Sequence, residues 1–302
     1  MFDATELTVS APPTPRPPLG RILDLDDVRT DLYEGHSYVG AVPRIFGGQA
    51  VGQAVIAAGR TVAPDRTVHS IRCTFVHPGR PETPIEYHVD RVRDGRSFTT
   101  RSVRAIQGDD VILLATVSFQ ATETGLSHQT PTFDAPPPSA TTEFDNGADG
   151  SNSAGADWLA RLRENVAVDF QFPDEHPRIA NLRGETRPPF QQAWVRTAER
   201  LSDDPLSQAA GFAYASDLFL LSSVLPPHAL TTDRPGLQLA SLDHSVWFHA
   251  PFRSDMWHLY EQEGVWTGGG RALTRGHLFS RDGVLMASTT QEGVVRVRET
   301  TT

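Results

Sequence analysis

The chain contains no lysine. Every fixed cation is an arginine, so three chemistries fall away together: Schiff-base catalysis, a pyridoxal phosphate anchor and a P-loop lysine. Cysteine is almost as scarce. The single Cys73 excludes an internal disulfide and a cysteine-based zinc site, and it fits a reducing compartment. Its strand-like surroundings predict a small buried hydrophobe. No apolar run approaches the roughly 20 residues of a membrane span. The first residues lack the basic and apolar regions of a signal peptide. A formal net charge of −10 argues against a general nucleic-acid binder, though not against local arginines for an anionic ligand.

What is present suits a soluble globular chain. Hydrophobic residues make up 38% and charged residues 21% of 302, enough for one large domain or two of about 150 residues. Residues 1–20 carry five prolines, at positions 12, 13, 15, 17 and 18, and predict a disordered arm. Arg21 to Leu32 reads as a short helix or an edge strand. Gly47 and Gly48 then open a nearly all-apolar segment that ends before Pro64, which predicts a buried helix. The glycines have two readings. They leave free N–H groups at a helix start, an anion or oxyanion site, or they permit a close helix–strand contact.

Four strand-like runs follow, Thr67–His77, Ile85–Arg93, Phe98–Ile106 and Val111–Gln120, separated by turn signals such as Pro78-Gly79 and Asp94-Gly95. Residues 121 to about 156 are rich in Ser, Thr, Pro, Gly, Asn and Asp and predict a linker. The pattern then returns: a strand at Ala193–Thr197, a helix over Pro205–Val224, and strands at Leu237–His249, Met256–Glu263, Arg271–Phe279 and Val284–Val297. One offset of 173 places Phe75 on Phe248, Pro78 on Pro251, Gly95 on Gly268, Asp109 on Asp282 and Val111 on Val284. We read a duplicated α+β unit, with units at 21–122 and 187–298 and a linker at 123–186.

Leu237–His249 alternates. Ala240, Leu242, Val246 and Phe248 form an apolar face with His244 among them; Ser241, Asp243 and Ser245 form a polar face. A period of two separates Ser241 from His244, so a Ser-His-Asp triad within this strand is not expected. No G-x-S-x-G elbow occurs elsewhere. His244 and His249 fall on opposite faces, and no H-E-x-x-H or cysteine pair supports a metal. Both read as structural or rim residues. Asp217, in AYASDLFLL, reads as a helix N-cap or as a general base held ionised by a helix dipole. Gln291, in ASTTQEG, reads as a surface residue or as a group that orients water or a carbonyl.

Several segments together resemble the acyl-CoA thioesterase II family: FGGQAVGQA (46–54), VHSIRCTFVHPG (68–79), RDGRSF (93–98), AYASDL (213–218), LDHSVWFHAPF (242–252) and STTQEGV (288–294). The resemblance spans residues 20 to 298 apart from the linker. It implies a double hotdog, two antiparallel sheets each wrapped around a helix. It implies hydrolysis of fatty acyl-CoA to fatty acid and CoA, with no metal or cofactor. It also implies a water-activating set of Asp217, Ser241 and Gln291, in which position 241 departs from the common threonine. Gly48 and Gln49 are expected to supply oxyanion N–H groups, and His69 is a secondary candidate. Two alternatives are an enoyl-CoA hydratase-like hotdog, for which Asp31, Tyr33 and His36 give an incomplete motif, and a non-catalytic acyl-CoA binding protein. A homodimer or higher homo-oligomer in the cytoplasm is expected. The last residues, Glu299 to Thr302, are not a peroxisomal address.

Overall fold

A computed structural model describes residues 18–38, 44–81, 83–132, 134–138 and 153–298. The first half runs α1 (Leu19–Leu23), β1 (Leu25–Arg29), β2 (Leu32–Gly35), α2 (Gly47–Gly59), β3 (Arg66–Phe75), β4 (Ile85–Asp94), β5 (Phe98–Gln107) and β6 (Asp110–Ala121). The second runs α3 (Ser153–Asn165), β7 (Val168–Gln171), α4 (Pro177–Leu182), β8 (Phe190–Thr197), α5 (Pro205–Ala215), β9 (Leu237–Ser241), β10 (Asp243–Phe248), β11 (His258–Gly268), β12 (Arg271–Phe279) and β13 (Leu285–Val297). Every recorded strand pairing is antiparallel, and the strands run β1-β2-β4-β5-β6-β3-β10-β13-β12-β11-β8-β7, with β9 paired to β13. The halves join where β3 meets β10, Thr74 opposite Asp243 and Ser70 opposite Trp247.

The predicted duplication holds in the strands. With the 173 offset, β4, β5 and β6 fall on β11, β12 and β13. The helices break the offset, because residues 60–65 separate α2 from β3 while 216–236 separate α5 from β9. The extra stretch forms short 3₁₀ turns at Leu221–Val224 and Pro226–His228.

Helix α2 is buried from Gly48 to Ala58, as its apolar composition requires. It lies against α5. A Cβ on Gly48 would stand 2.1 Å from the Tyr214 carbonyl oxygen, and one on Gly52 would stand 3.0 Å from that of Ala210. Glycine one helical turn apart therefore lets two backbones approach. The close contact is helix to helix, where helix to strand was one of the two expectations.

Three boundaries are corrected. The linker expected at 123–186 is folded over 153–182: β7 extends the sheet by pairing with β8, Val168 opposite Thr197, and Leu159, Phe170 and Phe172 enter the core. Helix α5 stops at Ala215, not Val224, because Phe219 turns to φ 65, a conformation that ends a right-handed helix. The expected arm overlaps α1, whose Leu19 is fully buried; residues 1–17 lie outside the described residues.

Candidate active site

Asp217 sits two residues past α5, beyond its C-terminal cap Ser216, so it is not at the start of its own helix. Its carboxylate reaches the start of the other half's helix instead. Oδ2 accepts the Gly48 N–H at 3.0 Å, and Oδ1 accepts Nε2–H of Gln291 at 2.6 Å. Residue Phe46 is extended and offers no side-chain cap to α2, so Asp217 satisfies one of the donors left at that end. Glycine at 47 makes room: a Cβ there would lie 2.7 Å from Asp217 Oδ2.

The turn that carries Asp217 is fixed at each neighbouring position. Ser216 donates its hydroxyl to the Ala213 carbonyl, and its own carbonyl accepts Tyr260 O–H at 2.8 Å. The Leu218 carbonyl accepts from Gln262 Nε2 at 2.8 Å, and the Phe219 carbonyl accepts from Gln191 Nε2 at 3.1 Å. Phe219 is buried among Trp158, Phe170, Phe172 and His176. A bulky residue at positive φ is costly and persists only where its surroundings determine it. Here the folded 153–182 segment supplies those surroundings.

Gln291 is fully buried on β13 and is no surface residue. Its Oε1 has no partner among the described residues. His244, also fully buried, lies beside it: Gln291 Nε2 is 3.4 Å from His244 Nδ1, and Ser216 Oγ is 2.7 Å from His244 Nε2. Burial holds the His244 imidazole below its ordinary range, against the opposing pull of Asp217 and Asp243. Behind it Cys73, on β3, donates its thiol to the His244 carbonyl at 3.2 Å. Burial pushes that thiol far up, so Cys73 is the inert core residue expected.

Ser241 requires a correction. The run 237–249 is not one regular strand. Ser241 faces Gly293, whereas Ser245 faces Thr290, so the register gains one residue around Leu242. Such a bulge flips the side-chain alternation. Ser241 therefore shares a sheet face with Gln291 and His244, not with Asp243. Asp243 instead accepts the Glu292 N–H at 2.7 Å and pins the bulge. The triad remains absent for another reason: the recorded contacts of both His244 ring nitrogens are to Ser216 and Gln291.

Of the remaining candidates Gly48 is brought to this centre, but not as an oxyanion donor, while the recorded contacts of Gln49 and His69 lie elsewhere. Gly48 gives its N–H to Asp217, and Gln49 turns its own back to Phe46 O at 3.0 Å. The Gln49 side chain bonds His36 and Tyr38 backbone. Neither backbone donor is free for an oxyanion, because both are spent in forming the helix start. His69 bonds Ser118 Oγ at 2.8 Å and packs on Phe98. It lies four residues along β3 from Cys73, about 13 Å. Asp31 is held by Arg91, and His36 is exposed beside Asp26, so the incomplete hydratase motif forms no site. Among the described residues no three His, Cys, Asp or Glu side chains gather as for a metal, and no helix is long and apolar enough to cross a membrane.

The mirror position in the first half is different. Thr61 stands two residues past α2, as Asp217 does past α5. Its Oγ1 and carbonyl accept from the buried Arg101, at 2.7 and 3.1 Å, and Arg101 also pairs with Asp94. Ser118 occupies the place of Gln291 at the 173 offset. Helix α5 is capped by its own Asp204.

A duplicated antiparallel unit with one carboxylate–glutamine centre at a helix end defines a class, and the comparisons give it a family. Residues 163–294 match the model described as acyl-CoA thioesterase, and residues 36–120 match the acyl-CoA thioesterase N-terminal domain. The chain is 37% identical to mouse acyl-coenzyme A thioesterase 8 over 92% of its length and 88% of the relative's. It is 34% identical to acyl-CoA thioesterase 2 of Haemophilus influenzae over 92% and 96%. Among solved structures, an acyl-CoA thioesterase II from Mycobacterium marinum superposes with TM-score 0.74 at 37% identity, covering 94% of this chain and 99% of that one. A hot dog fold protein from Alicyclobacillus acidocaldarius matches with TM-score 0.69 at 20% identity, covering 92% and 97%. The fold is the double hotdog. The chain belongs to the acyl-CoA thioesterase family, and its activity is acyl-CoA hydrolysis.

Proposed function

We propose that the chain cleaves fatty acyl-CoA by direct attack of water, with Asp217, Gln291 and Ser241 as its water-holding groups. The observation that carries this reading is the 2.6 Å bond from Gln291 to Asp217 at the start of α2. Asp217 Oδ1 and Oδ2 each keep a lone pair beyond the bond already made. The buried Gln291 Oε1 lacks a partner and can accept only a hydrogen. A water that donates to both is aimed by them. Ser241, on the same face, offers a hydroxyl to the same water.

The water oxygen forms a bond to the thioester carbon as Asp217 takes its proton. The tetrahedral oxyanion collapses, the C–S bond breaks, and CoA leaves as a thiolate that takes a proton from Asp217 or solvent. With Gly48 and Gln49 committed, Gly47 is our choice of oxyanion donor: its N–H makes no bond among the described residues, at the positive end of α2. The fixed turn around Asp217 keeps the reorganisation small.

The test is thiol release from acyl-CoAs by wild type and Asp217→Asn, with fold checked by circular dichroism. Loss of about 100-fold or more in kcat is expected; a folded variant with full activity would sink the role of Asp217. The reading extends to a cytoplasmic homo-oligomer. It is supported by a chain whose single cysteine leaves no internal disulfide and by β1 and β7, each of which pairs on one side only among the described residues. Light scattering on the purified chain tests the assembly, and a monomer would refute it.

A further inference from the structure

The fully buried His244 has no part in the mechanism above, yet it touches Gln291. One assignment of the hydrogens satisfies every contact of the ring. Ser216 Oγ–H donates to the Ala213 carbonyl at 2.9 Å. The hydroxyl has one proton, so toward His244 Nε2, at 2.7 Å, it is the acceptor. Nε2 therefore carries the ring proton. Nδ1 is left with a lone pair, and it faces Gln291 Nε2 at 3.4 Å. The amide of Gln291 has two N–H groups. One goes to Asp217 Oδ1 and the other to His244 Nδ1. With both donors committed, the amide cannot turn over, and Oε1 is held, buried and without a protein partner among the described residues, as a fixed acceptor.

We propose that His244 is a positioning residue: through Ser216 and its own ring it locks the Gln291 amide so that Oε1 faces the attacking water. This rests on the reading of Gln291 and Asp217 as water-holding groups. A protonated ring would present N–H at both nitrogens. It would oppose the Gln291 N–H, favour the flipped amide, and place Oε1 against the Asp217 carboxylate. The state of this ring then enters the rate.

The groups around the ring come from four elements. Asp217 and Ser216 face it from the turn after α5, Gln291 from β13, and Cys73 from β3, with Asp243 its neighbour on β10. Tyr260, on β11, reaches the Ser216 carbonyl. The two carboxylates favour the charged ring, and burial outweighs them. His244 thus stays neutral through the working range and takes a proton only on the acid side.

Asparagine and glutamine separate this role from mere packing. In His244→Asn the amide oxygen replaces the Nδ1 acceptor without a titrating ring. In His244→Gln the amide extends toward Ser216 and leaves Gln291 without its acceptor. Steady-state kinetics with one acyl-CoA across the acid range would read both, alongside Gln291→Ala. We expect His244→Gln to lose about 100-fold in kcat with little change in KM. His244→Asn should stay within about 10-fold at its plateau, and its acid limb should lose one proton of dependence relative to wild type. If His244→Gln unfolds, Ser216→Ala serves in its place, since it removes the acceptor that selects the tautomer; a fall in kcat with KM held is again expected. Equal kcat in His244→Asn and whichever second variant is read, or an acid limb unchanged in His244→Asn, overturns the proposal. A fully active Gln291→Ala would overturn the underlying reading of Gln291 as well.

Discussion

The carboxylate of Asp217 accepts the backbone N–H of Gly48 at 3.0 Å, across 169 residues of sequence. One half of the duplicated chain thus caps the helix of the other. The centre belongs to neither half alone, and its geometry depends on how closely α2 and α5 approach.

Gly48→Ala tests that dependence. The new Cβ would meet the Tyr214 carbonyl at 2.1 Å, a rigid neighbour, so the helices must part. A stability loss of about 2–3 kcal/mol is expected from overpacking, with a larger fractional loss of kcat. Gly52→Ala meets its nearest backbone oxygen at 3.0 Å and should be milder in both. Urea midpoints and thiol release compare the pair, and the reverse order would contradict the helix-contact argument.

Phe219 presents a separable packing term and backbone term. Phe219→Ala removes a ring packed among Trp158, Phe170, Phe172 and His176, at a cost of about 3–5 kcal/mol. Phe219→Gly removes the same ring but suits φ 65, and should be more stable than the alanine variant by about 1 kcal/mol. Thermal melts order the two variants. Both should lower kcat, since the turn also aims Asp217.

Ser241 should tolerate threonine and resist alanine. On the same face as Gln291, its hydroxyl would be the third group of the proposed water-holding set. Ser241→Thr keeps the hydroxyl and restricts its rotamers, and activity should be retained. Ser241→Ala should reduce kcat by about 10-fold, the worth of one neutral hydrogen bond. Kinetics that cannot distinguish alanine from threonine would remove Ser241 from the set.

His176 links stability to pH. Burial, with the Arg178 cation, pushes its imidazole down to about 3. The unfolded ring takes its proton near about 6.5. Between these values the unfolded state binds the extra proton. The contribution is therefore whole above the unfolded value and is lost as pH falls toward the folded one, by up to about 1.4 kcal/mol per pH unit. His176 also caps α4 by accepting the Arg178 N–H at 3.1 Å. His176→Asn keeps a capping acceptor without the titration. Its stability should fall less steeply on acidification, as read from denaturant midpoints at several pH values; parallel curves would contradict the assignment.

The strand plan was legible because turns and β-runs repeat at one spacing, and the buried α2 because its composition is apolar all round. The site was legible only in part. Asp217 stood out as a carboxylate beside an apolar run and Gln291 only through the family resemblance, but nothing local could reveal that Asp217 would cap a helix 169 residues away. A single inserted residue near Leu242 reversed the face on which Ser241 lies, and a bulge leaves no mark in a pattern of alternation. The 153–182 segment is polar enough to read as a linker; its few aromatic residues acquire meaning only around Phe219. His244 read as structural, which its burial supports, while its contact with Gln291 depends on strands distant in sequence.

The place that mirrors Asp217 holds Thr61, closed by the buried guanidinium of Arg101. A pair of identical units would carry two equivalent centres related by symmetry. Among the described residues this chain carries one such carboxylate–glutamine centre. It behaves as a heterodimer written into a single polypeptide, in which one half supplies the carboxylate and glutamine and the other the helix end they meet. On the proposed reading a count of catalytic centres should return one per chain, and the first half is free to change its surface chemistry as long as α2 still presents its glycine end to Asp217.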